Sequence, residues 1–186
     1  MSEIVFFLEE RSAQVMLEGF LPKLIPDAIP VRFVVFEGKQ DLERQMVRRM
    51  RGYRMPNARF VVLRDKDSED CREVKSRLAT KCKEASHPAS LVRVACHELE
   101  SWYLGDLAAV EAGLGVRGLV KLQHKPPYNA PDDVPNPARK LQSIAPTYQK
   151  IGGSRAIGPH LDPGGKRSTS FAIFVAGMNK LVADIH

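Results

Sequence analysis

The chain has 186 residues, 44% of them hydrophobic and 27% charged, with a formal net charge of +6. That suits one globular domain with a sizeable core, and thirteen Pro and thirteen Gly are too few for a fibrous or wholly disordered chain. No apolar run approaches the roughly eighteen residues of a membrane span. The run at residues 4–8 lacks the basic leader and length of a signal peptide, so a cytoplasmic protein with no membrane partner is expected.

In chain order, residues 4–8 read as a buried strand and 12–24 as a helix. Residues 31–36 form a second strand, followed by a helix over 40–51. A third strand at 60–63 leads into a helix over 68–85, and a fourth at 91–95 into a helix over 98–112. The strands are continuously apolar, as in sheets covered on both sides. Their alternation with helices predicts an α/β fold with a mainly parallel sheet and helices on both faces. After Gly113 the texture changes. Eight of the thirteen prolines fall between Pro126 and Pro163, which predicts mostly loop, with a short helix over 137–144. The tail at 170–183 regains helical periodicity through Phe171, Phe174, Val175, Met178 and Leu181. The reading is one domain over 1–186, an α/β core over 1–112 with a loop-rich basic extension over 113–186 that ends in a helix.

Nine Lys or Arg against three Asp lie between Arg117 and Ser170, which accounts for the whole formal excess. Such a segment suits an anionic partner, though a solvated surface has the same look. Arg44, Arg48 and Arg51 make a second basic stripe, read as a solvated face or partner surface. Cys71, Cys82 and Cys96 are too sparse for a disulfide framework or a zinc site, and Cys71 and Cys82 share a helical stripe with Val74 and Leu78 that reads as core. His87, His124, His160 and His186 lack metal-ligand spacing, and His97, which borders the strand-end acids, reads as core or surface ahead of an assisting role.

Open parallel sheets gather ligands at the carboxyl ends of their strands. Three strands here end in acids: Glu9 and Glu10, Asp65 and Asp67, Glu98 and Glu100. Asp65 and Asp67, two apart, point to one side if the chain stays extended. Oxygen ligands of this kind suit Mg²⁺ or Mn²⁺. The bland reading of Glu10, Glu69 and Asp70 is helix N-terminal acids, and of Ser12 and Ser68 helix caps. Which of Glu98 and Glu100 faces the site depends on where the strand ends, and Trp102 either walls the site or is plain core.

The pieces Leu8-Glu9-Glu10-Arg11-Ser12, Leu63-Arg64-Asp65-Lys66-Asp67-Ser68, Glu98-Leu99-Glu100-Ser101-Trp102-Tyr103-Leu104, Tyr148-Gln149-Lys150 and Arg167-Ser168-Thr169-Ser170-Phe171 resemble the bacterial family called domain of unknown function 4276, within the TOPRIM-like fold. The resemblance implies a Mg²⁺-dependent core like that of topoisomerases, primases and OLD-type nucleases, with Glu9, Asp65 and Asp67 in the site. Glu10 stands where the superfamily usually has glycine. An ATPase partner and a place in anti-phage defence are implied by similarity alone.

The expected activity is phosphodiester cleavage of nucleic acid. Glu9, Asp65, Asp67 and Glu100 are the candidate metal ligands, and Glu9 is alternatively a general base. Lys150 and Arg167 are the expected phosphate contacts, with Arg155, Lys166 and Ser168 beside them. Arg167 precedes a helix start, where free amides and a guanidinium together hold phosphate. The rival readings are a non-catalytic module that binds an ATPase or nucleic acid, and a nucleotidyl or phosphoryl transferase. A homo-oligomer is compatible with all three.

Overall fold

The computed structural model describes residues 2–185; Met1 and His186 lie outside them. Its sheet has four parallel strands, β1 (Glu3–Leu8), β2 (Val31–Val35), β3 (Ala58–Asp65) and β4 (Leu91–Ala95), in the order β2-β1-β3-β4. Every residue of β1 is buried. Ile4, Phe6 and Leu8 alternate onto one face with Val61 and Leu63, while Val5 and Phe7 face the other with Phe60 and Val62.

The second face is covered by α2 (Lys39–Arg51) through Leu42, Met46 and Met50, and by α3 (Cys71–Glu84) through Val74, Leu78 and Cys82. The first face is covered by α1 (Arg11–Phe20), α4 (Glu100–Leu104), α5 (Leu107–Leu114), α6 (Pro137–Ile144), α7 (Lys150–Ile157) and α8 (Thr169–Ala183). This is an α/β arrangement, a parallel sheet with helices on both faces. The chain leaves β1 toward β2 and later returns to the other side with β3, so β1 and β3 flank the topological switch point, where open sheets form their crevice.

Two elements depart from expectation. The helix expected over 98–112 is broken into α4 and α5, because the Asp106 carboxylate accepts the Ala109 amide at 3.0 Å and caps a new helix start. The stretch expected to be mostly loop contains α7, despite Gly152 and Gly153. A side chain at Gly153 would collide with the Tyr148 ring, and one at Gly158 with the Met16 backbone. These glycines let α7 close on Tyr148 and α1, so tertiary packing overrides their poor helix propensity. Residues beyond 113 share the core of the first face through Tyr128, Leu141, Tyr148, Ile157 and Phe174.

Candidate active site

Strand alternation places the key side chains. Arg64 and Asp65 end β3 and turn to opposite faces, Arg64 toward α2 and α3, Asp65 toward the α4 and α7 side. Glu9 follows β1 directly, and its Oε2 accepts the Asp65 amide at 3.2 Å. Glu100 opens α4, is 1% exposed, and accepts the Tyr148 hydroxyl on Oε1 at 2.8 Å. Its Oε2 is buried without a hydrogen-bond partner among the described residues. Lys150 opens α7 with Nζ 2.8 Å from Glu10 Oε2, and Glu10 Oε1 accepts the Ser12 hydroxyl at 2.6 Å.

The electrostatics are those of crowded like charge. Burial holds the Asp65 carboxyl well above the ordinary range, helped by Glu9, Glu100 and Glu10 and opposed by Lys150. Burial, then the Asp67 charge, raises Glu9 to about 7 against the pull of the Asp65 amide and Arg64. Glu100 is raised by burial, with the Tyr148 hydrogen bond and Lys150 opposing. For Lys150 burial works against the charge, but the bond to Glu10 and the charges of Glu10, Glu100 and Asp65 outweigh it and raise its pKa. Tyr103 and Tyr148 are raised by burial and by Glu100, so both stay protonated; Tyr148 donates to Glu100, while the buried Tyr103 hydroxyl has no partner among the described residues.

Asp67 corrects the expected pairing with Asp65. The strand ends at Asp65, and Asp67 adopts a left-handed φ of 53°, with its amide donating to the His97 carbonyl at 2.8 Å. Alternation stops with the strand, so period two no longer sets the direction of Asp67. Asp67 Oδ2 is instead 2.6 Å from Lys39 Nζ, although its charge still reaches Glu9. Beyond it lies an ion network: Arg64, 1% exposed, binds Glu43 at 2.7 Å and Glu69 more closely, while Arg77 binds Glu43 at 3.0 Å and Glu69 at 2.6 Å.

The expected phosphate contacts divide. Lys150 reaches the carboxylates. Ser168 does not serve as a phosphate ligand: it is 3% exposed, caps α8 by accepting the Phe171 amide at 3.1 Å, and donates to Asp132 at 2.6 Å. Asp132 also accepts the Ser170 amide at 2.8 Å, so a carboxylate of the chain itself fills the helix start expected to hold phosphate. Arg155, Lys166 and Arg167 are exposed and enter no ion pair among the described residues.

Glu98 accepts the Ala138 amide at 2.9 Å and belongs to the start of α6, which leaves Glu100 as the residue facing the site. Trp102 is core, 1% exposed against Phe171 and Phe174, with its indole N–H on Ser170 at 2.9 Å. Asp70 caps α3, as the bland reading had it. Sequence reasoning gave no site role to Tyr148, Glu10, Lys39 or Arg64. The sequence signal for Arg64 was an arginine inside an otherwise apolar strand, which demands buried acids.

Among the described residues, no three His, Cys, Asp or Glu side chains stand as a ready-made metal-ligand set. The donor chemistry nonetheless fits a hard cation. The donors on offer are carboxylate oxygens, they repel one another in a part-buried place, and the Glu100 oxygen without a partner is the kind of atom a cation satisfies.

Comparison with known proteins gives two findings. The model of the family described as Domain of unknown function (DUF4276) matches residues 8–179. A solved structure, the C-terminal region of the Burkholderia pseudomallei OLD protein, is similar with a TM-score of 0.58 at 12% identity, covering 98% of this chain and 99% of that one. No curated protein matches the sequence. No helix among the described residues is long and apolar enough to cross a membrane.

Proposed function

The chain belongs to the DUF4276 family, and on that footing we propose that it is a nuclease dependent on Mg²⁺ or Mn²⁺, a phosphodiester hydrolase of nucleic acid. The observation that carries this reading is the convergence of Glu9 and Asp65, from the ends of β1 and β3, with Glu100 at the start of α4 into one part-buried cluster whose charges repel. A fold keeps such a cluster at a cost in stability, and functional sites are where that cost is commonly found. The likeness in fold to a solved C-terminal region of an OLD protein supports the same direction.

In this proposal Glu9, Asp65 and Glu100 hold the ion, and Asp67 is the further ligand if Lys39 releases it. A bound divalent ion supplies an activated water and neutralises charge on the phosphate oxygens. Glu9, raised to about 7, suits proton abstraction near neutral pH. The Lys150 ammonium offers positive charge to a phosphate that the acids would otherwise repel. Tyr148 fixes the orientation of Glu100, and the exposed Arg155, Lys166 and Arg167 contribute to attraction of the polyanion. The proposal includes an ATPase partner in anti-phage defence, on the family resemblance.

The test is cleavage of DNA and RNA by purified protein with Mg²⁺ and Mn²⁺, beside Asp65→Ala and Glu100→Gln. Loss of cutting in both, with thermal midpoints that do not fall, supports the reading. Equal cutting by the variants contradicts it. One observation favours a second reading, a non-catalytic nucleic-acid- or ATPase-binding module: Lys39 already neutralises Asp67. That module binds its partner and cuts nothing with either metal.

A further inference from the structure

The helices α2 and α3 follow parallel strands, so both end at the sheet margin opposite the carboxylates. Residues 48–59 at that margin contain five arginines, Arg48, Arg49, Arg51, Arg54 and Arg59, and no Asp or Glu. All five side chains are exposed and none forms an ion pair among the described residues. Arg64 and Arg77, nearer the carboxylate end, are by contrast each paired with both Glu43 and Glu69.

Cations at a helix C-terminus compensate its dipole, and Arg51 does so: its guanidinium donates to the Glu84 carbonyl at 2.6 and 3.2 Å, at the end of α3. Compensation needs one or two such groups. Arg48, Arg49, Arg54 and Arg59 exceed it, and their mutual repulsion in the free protein is uncompensated. An acidic protein partner would be met by an apolar centre ringed by charge. Here the only large hydrophobic side chain exposed within the stretch is Met55, at 50%. What the surface offers instead is spaced guanidinium groups, the pattern that tracks phosphates.

We propose that this arginine-rich end, residues 48–59, is a second nucleic-acid contact that binds the phosphate backbone away from the carboxylate cluster. The length of β3 sets the separation at about 23 Å, from roughly 3.3 Å per residue. The exposed face of α2, carrying Arg44 and Arg48, links the two ends over roughly 20 Å of helix. A duplex lying along α2 runs from these arginines to Lys39 and Asp67 at the carboxylate end of the sheet. The surface grips whatever the sequence of the nucleic acid, because it offers charge without a base-reading element. The inference takes its ligand class from the proposed function but is independent of whether the carboxylates cut.

The experiment is fluorescence anisotropy with a labelled 24-base-pair DNA duplex and an RNA hairpin of equal length, in EDTA so that no cleavage intervenes. The variant is the triple Arg48→Ala, Arg49→Ala, Arg54→Ala, which leaves Arg51 on its carbonyl. Binding is expected to weaken at least tenfold at 0.1 M salt, and the slope of log affinity against log salt to drop by roughly 2–3, at about 0.9 per lost phosphate contact. Unchanged affinity and slope overturn the proposal, and leave the arginines to an acidic protein partner. So does an equal loss in a control triple, Lys121→Ala, Lys125→Ala, Arg139→Ala, because the effect would then be net charge alone. Should the triple variant melt early, the single Arg48→Glu carries the same test with about one unit of slope. Loss of binding in protein that never cuts upholds this inference while refuting the nuclease, so the two failures are distinguishable.

Discussion

Arg64 and Asp65 are neighbours in one strand, yet the regions they enter are electrostatic opposites. On the Arg64 side, two guanidinium groups and a lysine meet Glu43, Glu69 and Asp67, and Arg64 and Arg77 hold the Glu69 carboxyl below its usual range. On the Asp65 side, Glu9, Glu10, Asp65 and Glu100 face one lysine and, at Glu9 only, the Arg64 Nε at 3.7 Å, and burial pushes three of them upward. The first network is close to charge-balanced, with only the Arg64 Nε left without a hydrogen-bond partner, and reads as structure. The mismatched one lacks positive charge, which is why it is the candidate for chemistry.

Neutralising the two neighbours tests the contrast most strongly. Asp65→Asn is expected to reduce metal-dependent cleavage at least about a hundredfold while raising the thermal midpoint, because it removes a charge that the fold disfavours. Arg64→Met is expected to lower stability by about 3 kcal/mol in urea titrations, since it removes the buried charge that Glu43 and Glu69 share with Arg77. The same sign of stability change in both variants would erase the distinction between the two sides.

The pH dependence sharpens it. Glu9 titrates near 7 when folded and near 4.5 when unfolded, so between those values the folded state holds the extra proton. Stability is therefore greatest below about 4.5 for this group and is lost as pH rises through 7, by up to about 3 kcal/mol. Glu9→Gln is expected to flatten that slope in denaturation curves at pH 5 and pH 8. In the wild type, Mg²⁺ is expected to restore stability at pH 8 more than at pH 6. Tyr148→Phe removes the donor to Glu100 and is expected to cost about 1–2 kcal/mol. The smallest effect belongs to the matched surface: Arg44→Ala breaks an exposed pair with Asp41 and is expected to change stability by less than about 0.5 kcal/mol.

The strands and the helices between them were legible because continuous apolar runs and helical periodicity are local signals. The nearness of Glu9, Asp65 and Glu100 was legible because strand ends in a parallel sheet converge, whereas Lys150 was singled out by the positive excess of the late segment. Asp67 was misread because period-two logic was carried one turn past the end of the strand. Ser168 was misread because its neutralising partner, Asp132, lies 36 residues away in sequence. Helix α7 was missed because its glycines signal a loop until the Tyr148 ring that needs them is in place. Lys39 and the partners of Arg64 depend on which helix covers which face, and no local pattern records that.

The central claim is that oxygens from the ends of β1 and β3 and the start of α4 share one divalent cation. Diffraction from Mn²⁺-soaked crystals near the manganese absorption edge tests it directly. The account predicts one or two anomalous peaks within coordination distance of Glu9, Asp65 and Glu100, with the formerly unpartnered Glu100 oxygen among the ligands. A soaked crystal with no peak there, and with the Lys39–Asp67 pair intact, would contradict it.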